Sequence, residues 1–176
     1  MGTLDLIKSD LSKWPRYEQR KSSLMRFLIG FYYFIFHGGT RSIIFYRIYR
    51  QLYKKNILLF YLVRSISMFF CAIEISETTS IGEGFFIPHP QCIIIGGGVL
   101  GKNVTVFQGV TIGLKRLGNE YPVIGDNVKI GSGAKVLGNV KIGPNSRVGA
   151  NSVVINLEVP SYSIAVGIPA VVKQSN

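Results

Sequence analysis

The chain has only two histidines, His37 and His89, and these are its candidates for acid–base chemistry. Imidazole titrates near neutral pH, so either side chain could take a proton from a hydroxyl group during a reaction. Such a base works best when a carboxylate holds its second ring nitrogen. The three acids nearest upstream of His89 are Glu74, Glu77 and Glu83. The residue types therefore predict proton transfer by a histidine that a carboxylate supports.

A repeat of six residues runs through the second half of the chain. Stepping by six from Ile94 to Val154 meets an aliphatic residue at ten of eleven positions, and the same step from Ile75 to Ile93 is displaced by one residue. Glycine often follows the aliphatic residue directly. This period fits neither an α-helix nor a plain strand, but it is typical of a β-solenoid whose aliphatic side chains stack inside. Only one histidine lies in the repeat, too few for a three-histidine zinc site, so we expect no metal.

The composition changes near residue 70. Of 21 aromatic residues, 16 precede residue 71, as do 12 of the 20 Lys and Arg residues, whereas 16 of the 20 glycines follow it. The sequence therefore predicts two architectures in one chain. Residues 1–70 form a basic, aromatic, α-helical segment or cap, and residues 71–176 form the solenoid.

Two helices are expected in the basic segment. Residues 41–52 have the spacing of an amphipathic helix, residues 54–56 read as a break, and a second helix runs from Ile57 to about Phe70. The segment either covers the open end of the solenoid or, through residues 24–70, also lies on an anionic membrane surface. It contains no nucleic-acid recognition motif, so we expect no nucleic acid partner.

The chain is expected to be cytoplasmic, with a possible peripheral contact to the inner face of the membrane. Its two cysteines allow at most one disulfide, which favours a reducing compartment. The longest uncharged stretch, residues 27–40, has 14 residues. A membrane-spanning helix needs about 20, so none is expected.

Residues 74–173 resemble the hexapeptide-repeat acyltransferases. Four blocks are similar to the serine acetyltransferase branch: IPH at 87–89, FQGVTIG at 107–113, IGSGAKVLGN at 130–139 and VGIPA at 166–170. The resemblance implies a mainly β fold, a left-handed parallel β-helix of about five coils preceded by a short helical segment. It also implies a homotrimer.

The resemblance assigns the reaction and its base. It implies acetyl transfer to a hydroxyl group, with His89 as the general base and Glu74 as the acid that orients it. Glu74 stands where the family usually has Asp. Cys92 could be imagined as an acyl-carrying nucleophile, but the family transfers directly in a ternary complex, so we expect no role for this thiol.

The resemblance also implies acetyl-CoA as the donor, bound in a groove between neighbouring subunits. Small residues one coil apart let the pantetheine arm approach the backbone closely, and two lysines could meet the CoA phosphates. The expected contacts are Gly113, Ser132, Gly133, Ala150, Asn151, Lys135 and Lys173.

The expected acceptor follows from departures from the serine-specific pattern. Those enzymes have Asp before the histidine and an Arg-His pair in a later loop, whereas this chain has Pro88, Glu120 and Tyr121 there. Lost charged hydrogen bonds weaken binding by roughly 1.5–3 kcal/mol each. The sequence therefore predicts a sugar or polysaccharide precursor as the acceptor, as in the small polysaccharide-biosynthesis enzymes of this branch. Serine O-acetylation, as in cysteine biosynthesis, is the alternative, and a non-catalytic binding solenoid is the third reading.

Overall fold

The computed structural model describes residues 2–19, 22–116 and 120–174. Within these residues, α-helices come first and short β-strands follow. The helices are α1 Thr3–Ser12, α2 Pro15–Glu18, α3 Ser23–Phe36, α4 Gly38–Leu52 and α5 Ile57–Cys71. The strands are β1 Ile73–Ile75, β2 Ser80–Ile81, β3 Ile93–Ile95, β4 Val99–Leu100, β5 Thr105–Val106, β6 Thr111–Gly113, β7 Val123–Ile124, β8 Lys129–Ile130, β9 Lys135–Leu137, β10 Lys141–Ile142, β11 Arg147–Val148, β12 Val153–Ile155, β13 Glu158–Val159, β14 Ser163–Gly167 and β15 Ala170–Gln174.

The strands form three flat faces of a prism, and each turn of the chain around the prism is one coil. Face A contains β1, β3, β6, β9 and β12, and face B contains β2, β4, β7, β10 and β13. Face C contains β5, β8, β11, β14 and β15. All neighbouring strands pair in parallel except β14 and β15, which form an antiparallel hairpin at the last coil.

Aliphatic side chains stack inside the prism, as the six-residue period predicts. Ile112, Val136 and Val154 lie in register on face A, and all three are fully buried. Ile94, where the period was counted from, is an exception. Its side chain points outward, between the buried Ile93 and Ile95. The extra residue that displaces the period lies after Ile94, at the corner that contains glycines 96–98. Ile94 therefore does not share the inward phase of the later coils.

The helices α4 and α5 confirm the two helices expected between residues 41 and 70. Helix α4 covers the first coil, which has no coil beyond it to receive its backbone carbonyls. Tyr46 donates to the Thr79 carbonyl at 2.8 Å, and Tyr49 donates to the Ile75 carbonyl at 2.5 Å. Burial raises the pKa of Tyr46 to about 12, so this phenol remains a protonated donor.

A buried ion pair fastens α1 and α4 to the solenoid. Arg47 Nε lies 2.9 Å from Asp10 Oδ2, and both side chains are almost fully buried. The remaining guanidinium nitrogens donate to the carbonyls of Ile81 and Gly82 at 2.6 Å. Asp10 also accepts from the Phe85 amide at 2.8 Å. The pair therefore joins three parts of the fold through fully satisfied polar groups.

Candidate active site

His89 lies on the loop that leads from the first coil into β3, at the corner between faces C and A. Phe86, three residues before His89, pairs with Thr105 of β5 on face C, and the following strand β3 lies on face A. The His89 side chain is exposed. Within the described residues it has no hydrogen-bond partner, so the imidazole is free to bind a substrate hydroxyl.

The same corner recurs in the next three coils and forms a continuous strip, which we call the corner strip. It consists of four residue pairs: Gln91–Cys92, Gln108–Gly109, Ser132–Gly133 and Ala150–Asn151. The second residue of each pair has a positive φ, from 55° to 72°. In the second, third and fourth pairs, the amide of this residue donates to the carbonyl of the first residue of the preceding pair, at 2.8 to 2.9 Å. Three coil spacings of about 4.8 Å make the strip roughly 14 Å long.

Four of the seven expected acetyl-CoA contacts fall on this strip: Ser132, Gly133, Ala150 and Asn151. Gly133 has two reasons to be glycine. Its φ is +72°, and a Cβ there would lie 2.1 Å from Asn151 Oδ1. The structure thus places a row of small residues in line with the His89 loop.

The other three expected contacts lie off the strip. Gly113 ends β6 at the opposite edge of face A, beside open space. Lys135 Nζ donates to the Gly109 carbonyl at 2.7 Å and to Thr111 Oγ1 at 3.1 Å, so this ammonium lies beside the strip. Lys173 is exposed on β15, at the end of face C farthest from the first coil.

Glu74 does not contact His89. Its Oε1 lies 3.0 Å from Nη2 of Arg64, which comes from α5. The same guanidinium also lies 4.0 Å from Glu77. The carboxylate points outward from β1 on face A and is about half exposed. The pairing of Glu74 with His89 therefore stays a prediction, and Arg64 is the partner that the structure gives it.

The start of α4 supports the His89 loop from behind. A Cβ on Gly39 would lie 1.9 Å from the Ile87 carbonyl oxygen, and a Cβ on Gly38 would lie 3.0 Å from Pro90. The backbone of α4 therefore packs directly on the residues that flank His89. This contact explains two successive glycines at a helix start, where glycine is otherwise unfavourable.

Gly39→Ala should displace the His89 loop and lower activity. Overpacking of this kind costs about 1–3 kcal/mol of folding free energy, and a displacement of about 1 Å at a reacting group can lower the rate roughly 100-fold. The matched control is Gly30→Ala in α3, where the new Cβ would meet Leu11 at an ordinary 3.5 Å. Thermal melts and CoA-release rates of both variants check this, and a fully active Gly39→Ala variant would contradict it.

Glu120 and Tyr121 lie at a different corner from His89. The Tyr121 ring packs on Gly97, where a Cβ would lie 2.4 Å from Cε1, and Gly97 lies between faces A and B. Pro88, by contrast, adjoins His89 and is half-buried. Within one chain, Pro88 is therefore next to His89, whereas Glu120 and Tyr121 lie at the other edge of face A.

Gln108 is a candidate site residue that the sequence reasoning did not single out. Its Oε1 is buried without a hydrogen-bond partner, and its carbonyl accepts from Gly133 within the corner strip. An orphaned acceptor at such a place suits a ligand N–H or O–H group. The available signal was its position directly before a positive-φ glycine, which it shares with Ser132.

The described ranges, 2–19, 22–116 and 120–174, offer neither a metal cluster nor a membrane-spanning helix. They contain no group of three or more His, Cys, Asp or Glu side chains placed to hold a metal ion. None of their helices is both long and apolar enough to cross a membrane.

Comparison with known proteins gives a family model and several relatives. Residues 121–156 match the model described as bacterial transferase hexapeptide (six repeats). The chain is 46% identical over 143 residues to a serine acetyltransferase of Staphylococcus xylosus, covering 78% of this chain and 66% of the relative. It is 42% identical over 144 residues to a serine acetyltransferase of Bacillus subtilis, covering 80% and 66%. The chain thus spans just under two thirds of these relatives.

Solved structures agree over almost the whole chain. The soybean serine acetyltransferase apoenzyme has a TM-score of 0.82 and 29% identity, covering 98% of this chain and 69% of that one. A Neisseria gonorrhoeae serine acetyltransferase in complex with serine has a TM-score of 0.80 and 29% identity, covering 97% and 69%. A serine acetyltransferase in complex with CoA has a TM-score of 0.80 and 28% identity, covering 97% and 69%. These matches confirm the expected left-handed β-helix with its preceding helices.

Proposed function

Because the chain belongs to the hexapeptide-repeat transferases, we propose that it transfers the acetyl group of acetyl-CoA to the hydroxyl group of L-serine. The observation that carries the proposal is the 46% identity to a serine acetyltransferase over 78% of the chain. That match leaves about 39 of the 176 residues outside it, so it includes His89 wherever it begins. The relatives support serine, the alternative in the sequence analysis, better than the sugar acceptor that was its main prediction, and they do not support placement in the polysaccharide branch.

The proposed reaction is a direct transfer with His89 as the general base. The imidazole takes the proton of the serine hydroxyl while the hydroxyl oxygen attacks the thioester carbonyl carbon. The carbon–sulfur bond then breaks, and the imidazolium returns the proton to the departing CoA sulfur. The products are O-acetylserine and free CoA. The exposed, unpartnered imidazole at the head of the corner strip supports this role.

Acetyl-CoA is proposed to lie along the corner strip. Ser132, Gly133, Ala150 and Asn151 would line the pantetheine arm through small side chains and backbone groups. Gln108 offers the arm a free acceptor, since its buried Oε1 lacks a partner. Lys135, beside the corner strip, and Lys173, exposed on β15, would supply positive charge for the phosphates of CoA.

A homotrimer is part of the proposal. One chain holds His89 at the corner between faces C and A and Tyr121 at the corner between faces A and B. Neighbouring prisms in a three-fold ring would bring the first corner of one chain beside the second corner of the next. Light scattering should therefore give three times the chain mass of 19.5 kDa, and a stable monomer would contradict the shared site.

A cytoplasmic location stays a prediction.

Pro88 favours a second candidate acceptor, a sugar hydroxyl. This residue adjoins His89, and it offers no charge to the ammonium group of serine. Glu120 and Tyr121 likewise offer no cation to its carboxylate. A neutral sugar would need neither partner, because its hydroxyl groups are uncharged.

Release of free CoA thiol from acetyl-CoA tests the two candidates against each other. L-serine and a panel of sugars and oligosaccharides are supplied in separate reactions. The proposal predicts release that depends on L-serine. Release with a sugar alone would favour the second candidate. No CoA release with any acceptor would contradict enzymatic acetyl transfer and favour a non-catalytic binding solenoid.

A further inference from the structure

Helices α3 and α5 expose large apolar side chains on their outward sides. In α3, Leu24, Phe27 and Phe36 are 65%, 69% and 70% exposed. In α5, Leu58 and Phe69 are 81% and 83% exposed. Single exposed apolar residues are ordinary, but contiguous apolar surface on two helices marks an interaction site. We call the outward sides of these two helices the apolar face.

The two helices are joined at their carboxyl ends through α4. Helix α4 packs between them, and its Arg41 donates through Nη1 to the Ile35 carbonyl at 2.9 Å and through Nη2 to the Phe70 carbonyl at 3.0 Å. A single guanidinium therefore ties together the carboxyl ends of α3 and α5. Phe36 and Phe69 are the sequence neighbours of these two anchored residues, and both are exposed.

The charge of the surrounding chain is of one sign. No Asp or Glu occurs between Glu18 and Glu74, whereas this stretch contains nine Lys and Arg residues. Two of them, Lys54 and Lys55, are exposed in the turn directly before α5. Arg26 is exposed on α3 among the apolar side chains. Cations next to an apolar surface suit an anionic lipid headgroup region.

The dimensions favour a position on the bilayer surface. Helices α3 and α5 have 14 and 15 residues, which at 1.5 Å per residue gives about 21–23 Å. The hydrocarbon core of a bilayer is about 30 Å thick. The helices are therefore too short to cross it and long enough to lie along its interface.

We propose that the apolar face docks on the surface of an anionic lipid bilayer, with Lys54 and Lys55 at the headgroups. A second copy of the chain is a poorer occupant. Two such faces packed together would place the exposed Lys54 and Lys55 of both copies at one interface, and α3 and α5 themselves contain no Asp or Glu to neutralise them. This inference does not depend on which acceptor the enzyme acetylates.

Vesicle flotation with the full chain tests the proposal. Vesicles of phosphatidylcholine with phosphatidylglycerol should carry the protein upward, and vesicles of phosphatidylcholine alone should carry much less. Raising the salt should reduce binding, because screening weakens the attraction of cations to the lipid surface. Equal binding to both vesicles, or binding to neither, would overturn the proposal.

The variant for this test is Leu58→Asp with Phe69→Asp. It should reduce the bound fraction at least about tenfold, because both carboxylates would face the headgroups. The matched control is Tyr162→Asp with Ile168→Asp, two residues on the solenoid that are 67% and 73% exposed. The control should float like the wild-type protein. Circular dichroism checks that both variants fold. If the wild-type chain binds no vesicles and the Leu58→Asp, Phe69→Asp variant loses self-association, the apolar face binds a second copy of the chain instead.

Discussion

Replacing His89 with alanine is expected to lower kcat/KM for acetyl transfer about 10²–10⁴-fold, the contribution of a general base. The fold should not change, because the side chain is exposed and contacts no hydrogen-bond partner in the described residues. Initial rates of CoA release give the loss of activity. A thermal melt that matches wild type assigns that loss to chemistry.

Cys92→Ala is the matched control for this prediction. Cys92 lies on the same loop, is exposed and free, and carries the only other nucleophile close to His89 in sequence. Its φ of +56° is retained by alanine no worse than by cysteine. The variant should keep most of its activity. An inactive Cys92→Ala variant beside an active His89→Ala variant would indicate a covalent acyl-cysteine route and contradict direct transfer.

Arg47→Met is expected to lower the free energy of unfolding by about 3–5 kcal/mol, the typical result of removing one partner of a buried ion pair. The substitution leaves the Asp10 carboxylate buried without its cation and leaves the Ile81 and Gly82 carbonyls without donors. Urea unfolding of wild type and variant measures the difference. A loss below about 1 kcal/mol would show that the pair does not hold the helices to the solenoid.

The same variant should respond to pH in a defined direction. Burial raises the pKa of Asp10, and Arg47 opposes that rise. Without Arg47 the folded-state pKa of Asp10 rises further above its unfolded value, so the folded protein binds a proton that the unfolded chain does not. The variant should therefore regain stability as the pH falls through that folded-state pKa.

Thermal melts at about pH 5 and about pH 8 measure this response. The surface pair Lys102–Glu83, at 3.0 Å, provides the control through Lys102→Met. The melting temperature of Lys102→Met should equal that of wild type at both pH values, because the Lys102 side chain is exposed. A drop in the stability of Arg47→Met on acidification would contradict the role given to Asp10.

The β-solenoid and its preceding helices could be predicted because their signals are local. Each coil repeats the same short pattern, so the buried positions of Ile112 and Val136 follow from counting. The break at residues 54–56 separates two helices for the same local reason. Which residue of each six points inward was harder to predict in the first coils. Ile94 points outward because the corner that contains glycines 96–98 is one residue longer than the repeat.

Parts of the candidate site could not be predicted because they depend on contacts between distant segments. Nothing in the sequence near Arg47 shows that it is buried against Asp10, 37 residues away. Glu74 has the expected sequence separation from His89, but its carboxylate forms an ion pair with Arg64 of α5 instead. The packing of Gly39 on Ile87 likewise appears only when α4 and the first coil meet.

The acceptor shows the limit of reasoning from single positions. Pro88, Glu120 and Tyr121 lack the charges expected for binding an amino acid, and these three positions favoured a sugar. Similarity over 78% of the chain favours serine instead. Tyr121 lies a full face from Pro88 within one chain, so in the proposed homotrimer the acceptor contacts would depend on how neighbouring chains meet.

The most direct test of the central claim is to identify the product formed when L-serine and a mixture of sugars compete for one acetyl donor. Acetyl-CoA labelled in the acetyl group is incubated with the protein and all acceptors together, and the labelled product is identified by mass spectrometry. Direct transfer to serine with His89 as the base predicts labelled O-acetylserine with the wild-type protein and none with His89→Ala. A labelled sugar in place of acetylserine, or equal labelling by the His89→Ala variant, would contradict it.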